Sequence, residues 1–163
     1  MGYTLPEHTY YEDNLYIYQP LAKTRRILYH HAPLYGYLIG REDQSINEKN
    51  LLRRLDQITN IARLQITSYT LAELRQLPAP LGNYLINNAC GQLFTTCALH
   101  HIENSDRSRR MNRELWEAIR AFDEPLYRQL RRNSLGWVTC LPGRIGERVL
   151  VLIYRAGRKV IRF

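Results

Sequence analysis

The sequence predicts a mainly α-helical chain with a short α/β fragment at its front. Residues 47–77 and 82–103 carry apolar side chains at helical spacing, whereas residues 26–31, RILYHH, are a single short run of strand-forming residues. A length of 163 residues, 45% hydrophobic and 23% charged, is typical of one globular domain. This composition excludes disordered, collagen-like and low-complexity chains.

The front of the chain is predicted to hold one helix and one strand. A helix over residues 14–25 follows Glu12 and Asp13, whose side chains suit a helix start, and Pro20 is expected to kink or shorten it. Residues 26–31 are predicted as an edge strand. Because a lone strand cannot satisfy its own backbone hydrogen bonds, we expect its partner strands upstream of this sequence.

The rest of the chain is predicted to form a helical bundle. One long helix is expected over residues 47–77, where Pro78 and Pro80 end it. The next helix, residues 82–103, has few charges and is expected to be buried. Further helices are predicted over residues 108–122 and 126–132 and in the tail after Gly143.

The cysteines and the apolar runs bear on where the protein is found, and the sparse cysteines indicate a reducing compartment. Cys90, Cys97 and Cys140 show no CxxC spacing, so we expect neither a disulfide framework nor a zinc knuckle. The first residues lack the pattern of a secretory signal, and the apolar run 149–154 is far shorter than the ~20 residues that cross a bilayer. These features predict a cytoplasmic protein.

The positive charge of the chain is concentrated in its tail. The net charge is +8, but residues 1–127 hold 14 basic and 14 acidic side chains, whereas residues 128–163 hold nine basic side chains and Glu147. On a helix the tail presents an apolar stripe: Val149, Leu152, Ile153, Ala156 and Val160. Four cations lie mostly beside it: Arg155, Arg158, Lys159 and Arg162.

Such a tail suits an anionic membrane surface, since each basic residue near that surface contributes ~1 kcal/mol. The alternative is a terminal helix that packs its stripe on the body of the protein and leaves its arginines in water. Nucleic acid ranks last among the partners because the tail contains no recognised binding module and little aromatic interleaving.

Residues 8–46 contain three motifs in order: an acidic pair, a Pro-Leu-Tyr-x-Tyr stretch and an Arg-rich turn that ends in Ser-Ile. This string, YYEDNLYIYQPLAKTRRILYHHAPLYGYLIGREDQSI, resembles the closing segment of the catalytic domain in family 2 glycosyltransferases of the GT-A fold. The resemblance implies three segments: residues 1–45 as the end of the catalytic domain, 46–134 as a helical extension and 135–163 as a basic amphipathic tail. It also implies inverting sugar transfer from a nucleotide-sugar donor to a polysaccharide or glycolipid acceptor.

The resemblance assigns roles to individual residues. Asp13 corresponds to the general base that takes the proton of the acceptor hydroxyl, and Glu12 and Tyr11 lie toward the acceptor. On the donor side the resemblance places three residues: His31, Arg41 and Ser45. A plain helix cap is the alternative role for Asp13, and a solvated loop is the alternative for the donor-side arginine and serine.

The sequence departs from the family pattern in two respects. Family members hold a divalent cation, Mg²⁺ or Mn²⁺, on an Asp-x-Asp motif that is absent here, and the helix after their acidic pair has no equivalent of Pro20. The adjacent histidine pairs, 30–31 and 100–101, point their rings apart, so no metal ligands are predicted.

We therefore expect this chain to be inactive alone and to need a half that binds the nucleotide sugar. The alternative function is a non-catalytic helical adaptor for homo-oligomerisation or for peripheral attachment to the inner face of a membrane.

Overall fold

The computed structural model describes residues 5–36 and 46–161, except for the side chain of residue 161. Within these ranges the chain forms nine α-helices and no β-strand, which confirms the mainly α-helical class. The helices are α1 (Asp13–Leu21), α2 (Glu48–Arg53), α3 (Leu55–Ile66), α4 (Leu71–Gln76), α5 (Ala79–Glu103), α6 (Asp106–Phe122), α7 (Glu124–Arg132), α8 (Ser134–Thr139) and α9 (Gly143–Ile161).

Helix α5 is the central element of the bundle. It packs against α3, α4, α6, α8 and α9, and its buried residues extend from Gly82 to His100. Its sequence explains this position. Glu103, the last residue of the helix, is its only Asp, Glu, Lys or Arg, and a helix with so few charges is stable when most of it is surrounded by other helices. The prediction of a buried helix over residues 82–103 is confirmed, and the helix begins at Ala79.

One hydrophobic core joins distant parts of the chain. Tyr18 of α1, Ile58 of α3, Leu93 of α5, Leu130 of α7 and Leu150 of α9 belong to the same cluster of buried side chains. The core therefore contains residues from each of the three predicted segments.

The prediction of one long helix over residues 47–77 is wrong. Arg54, at φ −113° and ψ 29°, leaves the helical region and separates α2 from α3. A second break precedes α4, where Thr70 and Glu73 form a capping box. The Thr70 hydroxyl accepts from the Glu73 N–H, and the Glu73 carboxylate accepts from the Thr70 N–H. Leu71 N–H donates to the Asp123 carboxylate at 2.7 Å, which fixes the start of α4 against the start of α7.

The predicted α/β fragment is also wrong. Helix α1 ends at Leu21 rather than at residue 25, and residues 22–36, which we call the front segment, form neither helix nor strand. The described ranges provide no neighbouring strand, so the strand-forming run 26–31 has no ladder to join. Its side chains are exposed instead, Leu28 by 91% and Tyr29 by 78%.

Helices α6, α7 and α9 agree with their predicted ranges to within two residues at their starts, whereas α8 was not predicted. Ser105 caps α6 by accepting from the Ser108 N–H, and Asp123 caps α7 by accepting from the Leu126 N–H. No helix in the part of the chain that the structure describes has the length and apolar character needed to cross a membrane.

Candidate functional site

A cleft of about 840 Å³ opens at the start of α1. Its walls are Pro6, residues 8–14 and Ile46, so it includes the acidic pair that the sequence analysis singled out. His8 and Tyr11 in this wall have positive φ angles of 54° and 72°. A left-handed conformation costs a non-glycine residue roughly 1–2 kcal/mol, so packing must hold this loop in place. We refer to this opening as the N-terminal cleft.

Contacts with α3 and with Arg54 hold the loop. Tyr10 N–H donates to Gln57 Oε1 at 3.0 Å, and the Arg54 guanidinium carbon lies 3.3 Å from the centre of the Tyr10 ring. Burial raises the pKa of the Tyr11 phenol, and a hydrogen bond with Arg54 acts against that rise. The tyrosine predicted to face the acceptor is therefore half-buried in the wall of the cleft.

Asp13 is the first residue of α1, and its side chain is exposed. Its Oδ1 accepts from the backbone N–H of Asn14 at 3.0 Å and from Asn14 Nδ2 at 3.4 Å. Within the described ranges Oδ2 has no hydrogen-bond partner, and Asp13 lines the N-terminal cleft. The helix-cap position belongs to Glu12, whose side chain makes no capping hydrogen bond.

The donor-side residues are not gathered at this cleft. The exposed imidazole of His31 packs edge-on against Tyr29 at 5.0 Å and does not line the cleft. Arg41 and Ser45 lie outside the described residues. The structure therefore brings together Tyr11, Glu12 and Asp13, and it leaves His31 apart from them.

The described residues do not form a ligand set for the divalent cation that the family resemblance implies. Among residues 5–36 and 46–161, no group of three or more His, Cys, Asp or Glu side chains could hold a metal ion. His8, Glu12 and Asp13 all line the cleft, but they do not form a group that could hold a metal ion, so the donor set of this cleft does not fit such a cation.

Helix α9 carries the tail cations, but it buries a different face from the predicted stripe. Leu150 and Tyr154 are its core contacts, with exposures of 1% and 6%. The stripe predicted from the sequence faces outward in large part, with Leu152 69% and Val160 83% exposed. The alternative in which this stripe packs on the body is therefore not what the structure adopts.

Two of the predicted membrane-binding cations are engaged by the body of the protein. Arg158 donates to the backbone carbonyl of Ile46 at 2.9 Å, and Arg155 lies 3.5 Å from a Glu48 carboxylate oxygen. Lys159 is exposed, and Arg162 lies outside the described residues.

A second cleft, of about 530 Å³, lies between α9 and the corner where α5 meets α6. Four arginines line it, namely Arg109, Arg144, Arg148 and Arg155, together with a single carboxylate, Glu147. We call this opening the basic cleft. Arg109, Arg144 and Arg148 were not predicted as site residues, although Arg148 belongs to the basic tail. The spacing of Arg144 and Arg148 at i and i+4 indicates a shared helix face, whereas nothing in the sequence indicates that Arg109 approaches from α6.

Comparison with protein-family models, with curated proteins and with solved structures gives no match for this chain. The features of the chain that point to a function are the two clefts and the surface of α9.

Proposed function

We propose that this chain forms the acceptor side of an inverting family 2 glycosyltransferase, with Asp13 as the general base. In this proposal the chain transfers sugar only together with a half that binds the nucleotide-sugar donor. The observation that carries the proposal is the Asp13 carboxylate in the wall of a cleft of about 840 Å³, with Oδ1 held by Asn14 and Oδ2 without a hydrogen-bond partner among the described residues. A general base needs one carboxylate oxygen that no other group occupies, and Oδ2 meets that requirement.

The proposed reaction is a single displacement. The acceptor hydroxyl gives its proton to Asp13 Oδ2 while its oxygen forms the bond to the anomeric carbon of the donor sugar. The bond from that carbon to the diphosphate breaks, and the nucleoside diphosphate leaves with the electron pair. General-base help of this kind is worth about 10²–10⁴-fold in rate.

The other cleft residues would position the acceptor. Tyr11 and Glu12 share the cleft wall with Asp13, and the Asn14 hydrogen bonds fix the direction in which the carboxylate points. A flat aromatic ring and a second carboxylate suit a sugar, which presents both an apolar face and hydroxyl donors.

The front segment supports the need for a donor-binding half. Its large apolar side chains are exposed by 78% or more: Ile27, Leu28, Tyr29, Leu34 and Tyr35. Contiguous exposed apolar side chains mark interaction surfaces. We propose that the donor-binding half packs there and supplies the ligands for Mg²⁺ or Mn²⁺, with His31, Arg41 and Ser45 facing the donor.

The test is reconstitution with a separately produced donor-binding half that carries the Asp-x-Asp motif. Release of nucleoside diphosphate is followed with a nucleotide-sugar donor, a carbohydrate acceptor and Mn²⁺. We expect Asp13→Asn to lower the rate by about 10²–10⁴-fold, because the amide cannot accept the proton.

The matched control is Glu7→Gln, which removes an exposed carboxylate near the cleft that does not line it. This variant should keep the reconstituted rate. Equal rates for Asp13→Asn and Glu7→Gln, or no transfer by the mixture of folded halves, would contradict the proposal.

A second function is favoured by a separate observation, the outward face of α9. Ile145, Leu152 and Val160 are 78%, 69% and 83% exposed and fall on one side of the helix. Arg148 and Lys159 lie next to them by the same periodicity. We propose that this face attaches the protein peripherally to an anionic membrane surface, at the cytoplasmic face, whether or not the chain takes part in catalysis.

A further inference from the structure

The basic cleft gathers positive charge without matching negative charge. Arg144 and Arg148 are exposed, and their side chains make no hydrogen bond or ion pair within the part of the chain that is described. Glu147 is the cleft's single carboxylate, and it lies 3.8 Å from the Nδ1 atom of His101. The cleft therefore has a marked positive excess even with that imidazole neutral.

Two of the four guanidinium groups have polar partners beside the cleft. Arg109 donates to the Asn104 side-chain oxygen at 2.6 Å, and Arg155 is 3.5 Å from Glu48. Asn104 is itself fixed as the left-handed residue that ends α5, at φ 58°. Arg144 and Arg148 follow one another by one turn of α9, and Arg155 lies further along the same helix, so the four arginines approach the cleft from two helices, α9 and α6.

Like charges one turn apart, such as Arg144 and Arg148, destabilise a helix, so an anion bound between them would stabilise it. A guanidinium presents paired N–H donors that match the oxygens of a phosphate. The α9 wall that carries Arg148 also includes Val151 and Leu152, which would contact an apolar group attached to the anion. These features together favour a phosphate ester over a small inorganic anion that is fully hydrated.

We propose that the basic cleft is a binding site for a phosphate monoester, with Arg109, Arg144 and Arg148 as its main ligands and Leu152 beside the esterified group. The ester is carried either by a lipid headgroup or by a small soluble metabolite, since both present the same dianionic group. This site is separate from the N-terminal cleft and does not depend on sugar transfer.

The test uses the full chain and two probes at constant ionic strength. Inorganic phosphate is titrated while the arginine side-chain N–H signals are followed by NMR. Vesicles of phosphatidylcholine with phosphatidic acid, a monoester, are compared in sedimentation with vesicles of equal charge that contain phosphatidylglycerol, a diester. We expect saturable shifts with phosphate, and Arg144→Gln/Arg148→Gln should weaken binding about tenfold or more.

The matched control is Arg113→Gln/Arg132→Gln, which removes the same charge from exposed positions outside the cleft. It should leave phosphate binding unchanged. A preference for phosphatidic acid that only the cleft variant loses supports the site and identifies a lipid headgroup as the source, whereas saturable phosphate binding without that preference supports the site with a soluble ester. The proposal is overturned if neither probe binds, or if the two double variants behave alike.

Discussion

His100 is buried in α5 with 1% of its surface exposed, and its ring nitrogens have different surroundings. Nε2 lies 2.9 Å from the Thr59 hydroxyl oxygen, and that hydroxyl donates its own proton to the Leu55 carbonyl. Nε2 must therefore carry the hydrogen that bridges α5 to α3. Nδ1 is buried and makes no hydrogen bond among the described residues, and the Asn112 side chain offsets only part of the cost of a charge on this ring in the core.

This arrangement predicts a loss of stability in mild acid. Burial lowers the pKa of His100 to about 4, whereas an unfolded histidine titrates near 6.5. Between these values the unfolded chain binds a proton that the folded chain does not, so the free energy of unfolding rises with pH across this window, by about 3 kcal/mol in total. Urea denaturation of the native chain at pH 4.5 and pH 7 measures the effect.

The matched variant is His100→Gln, which can still donate to Thr59 but does not titrate. The carboxylates titrate in both proteins, so the difference between the two pH dependences isolates the imidazole. We expect a smaller rise in stability for the glutamine variant. Identical slopes in two folded proteins would show that His100 does not control acid stability.

At the scale of elements, the close approach of α7 and α8 depends on one missing side chain. A methyl group at Gly136 would overlap the backbone carbonyl of Leu130. Gly91, within α5, faces open space on the same criterion. We expect Gly136→Ala to lower the free energy of unfolding by about 1–3 kcal/mol through overpacking, and Gly91→Ala to raise it by about 0.5–1 kcal/mol through helix propensity. Urea midpoints of the two variants measure both effects, and an equal response would refute the packing argument.

The helices that could be predicted from sequence are those whose ends carry a chemical signal. Helix α5 begins beside Pro78, and α9 begins at Gly143, as its position after Pro142 indicated. The break before α4 was also readable, because Thr70 and Glu73 have the spacing of a capping box. The break at Arg54 could not be predicted, since no glycine, proline or capping residue marks it in the sequence.

Strand propensity misled the prediction for a related reason. Residues 26–31 have the composition of a strand, but a strand also needs a partner for its backbone, and the described ranges provide none. The same distinction applies to the sites. The position of Asp13 at a helix start followed from local sequence, whereas the basic cleft depends on α9 meeting α6 and could not be read from either helix alone.

At the scale of the whole molecule, the exposed apolar surface is concentrated in two places. Among the described residues, every large apolar side chain that is more than three-quarters exposed lies in the front segment or on α9. The front segment adjoins α1 and carries alternating tyrosine and aliphatic groups, whereas α9 sets aliphatic groups beside arginines. The two surfaces therefore suit different partners, a protein half and a charged lipid surface.

The membrane proposal predicts that the aliphatic groups of α9 contribute to binding separately from its charges. Ile145→Gln/Val160→Gln removes two exposed side chains that do not line the basic cleft, and glutamine preserves helix propensity. Since burial of one such aliphatic side chain is worth about 1.5–3 kcal/mol, partition into phosphatidylglycerol vesicles should fall at least about tenfold. Leu28→Gln/Leu34→Gln removes equally exposed groups from the front segment and should partition like the native chain. Co-sedimentation decides between insertion of the apolar face into the bilayer and purely electrostatic attraction, because the α9 variant keeps every positive charge. Unchanged partition of that variant would exclude insertion of the apolar face and leave attraction by the arginines alone.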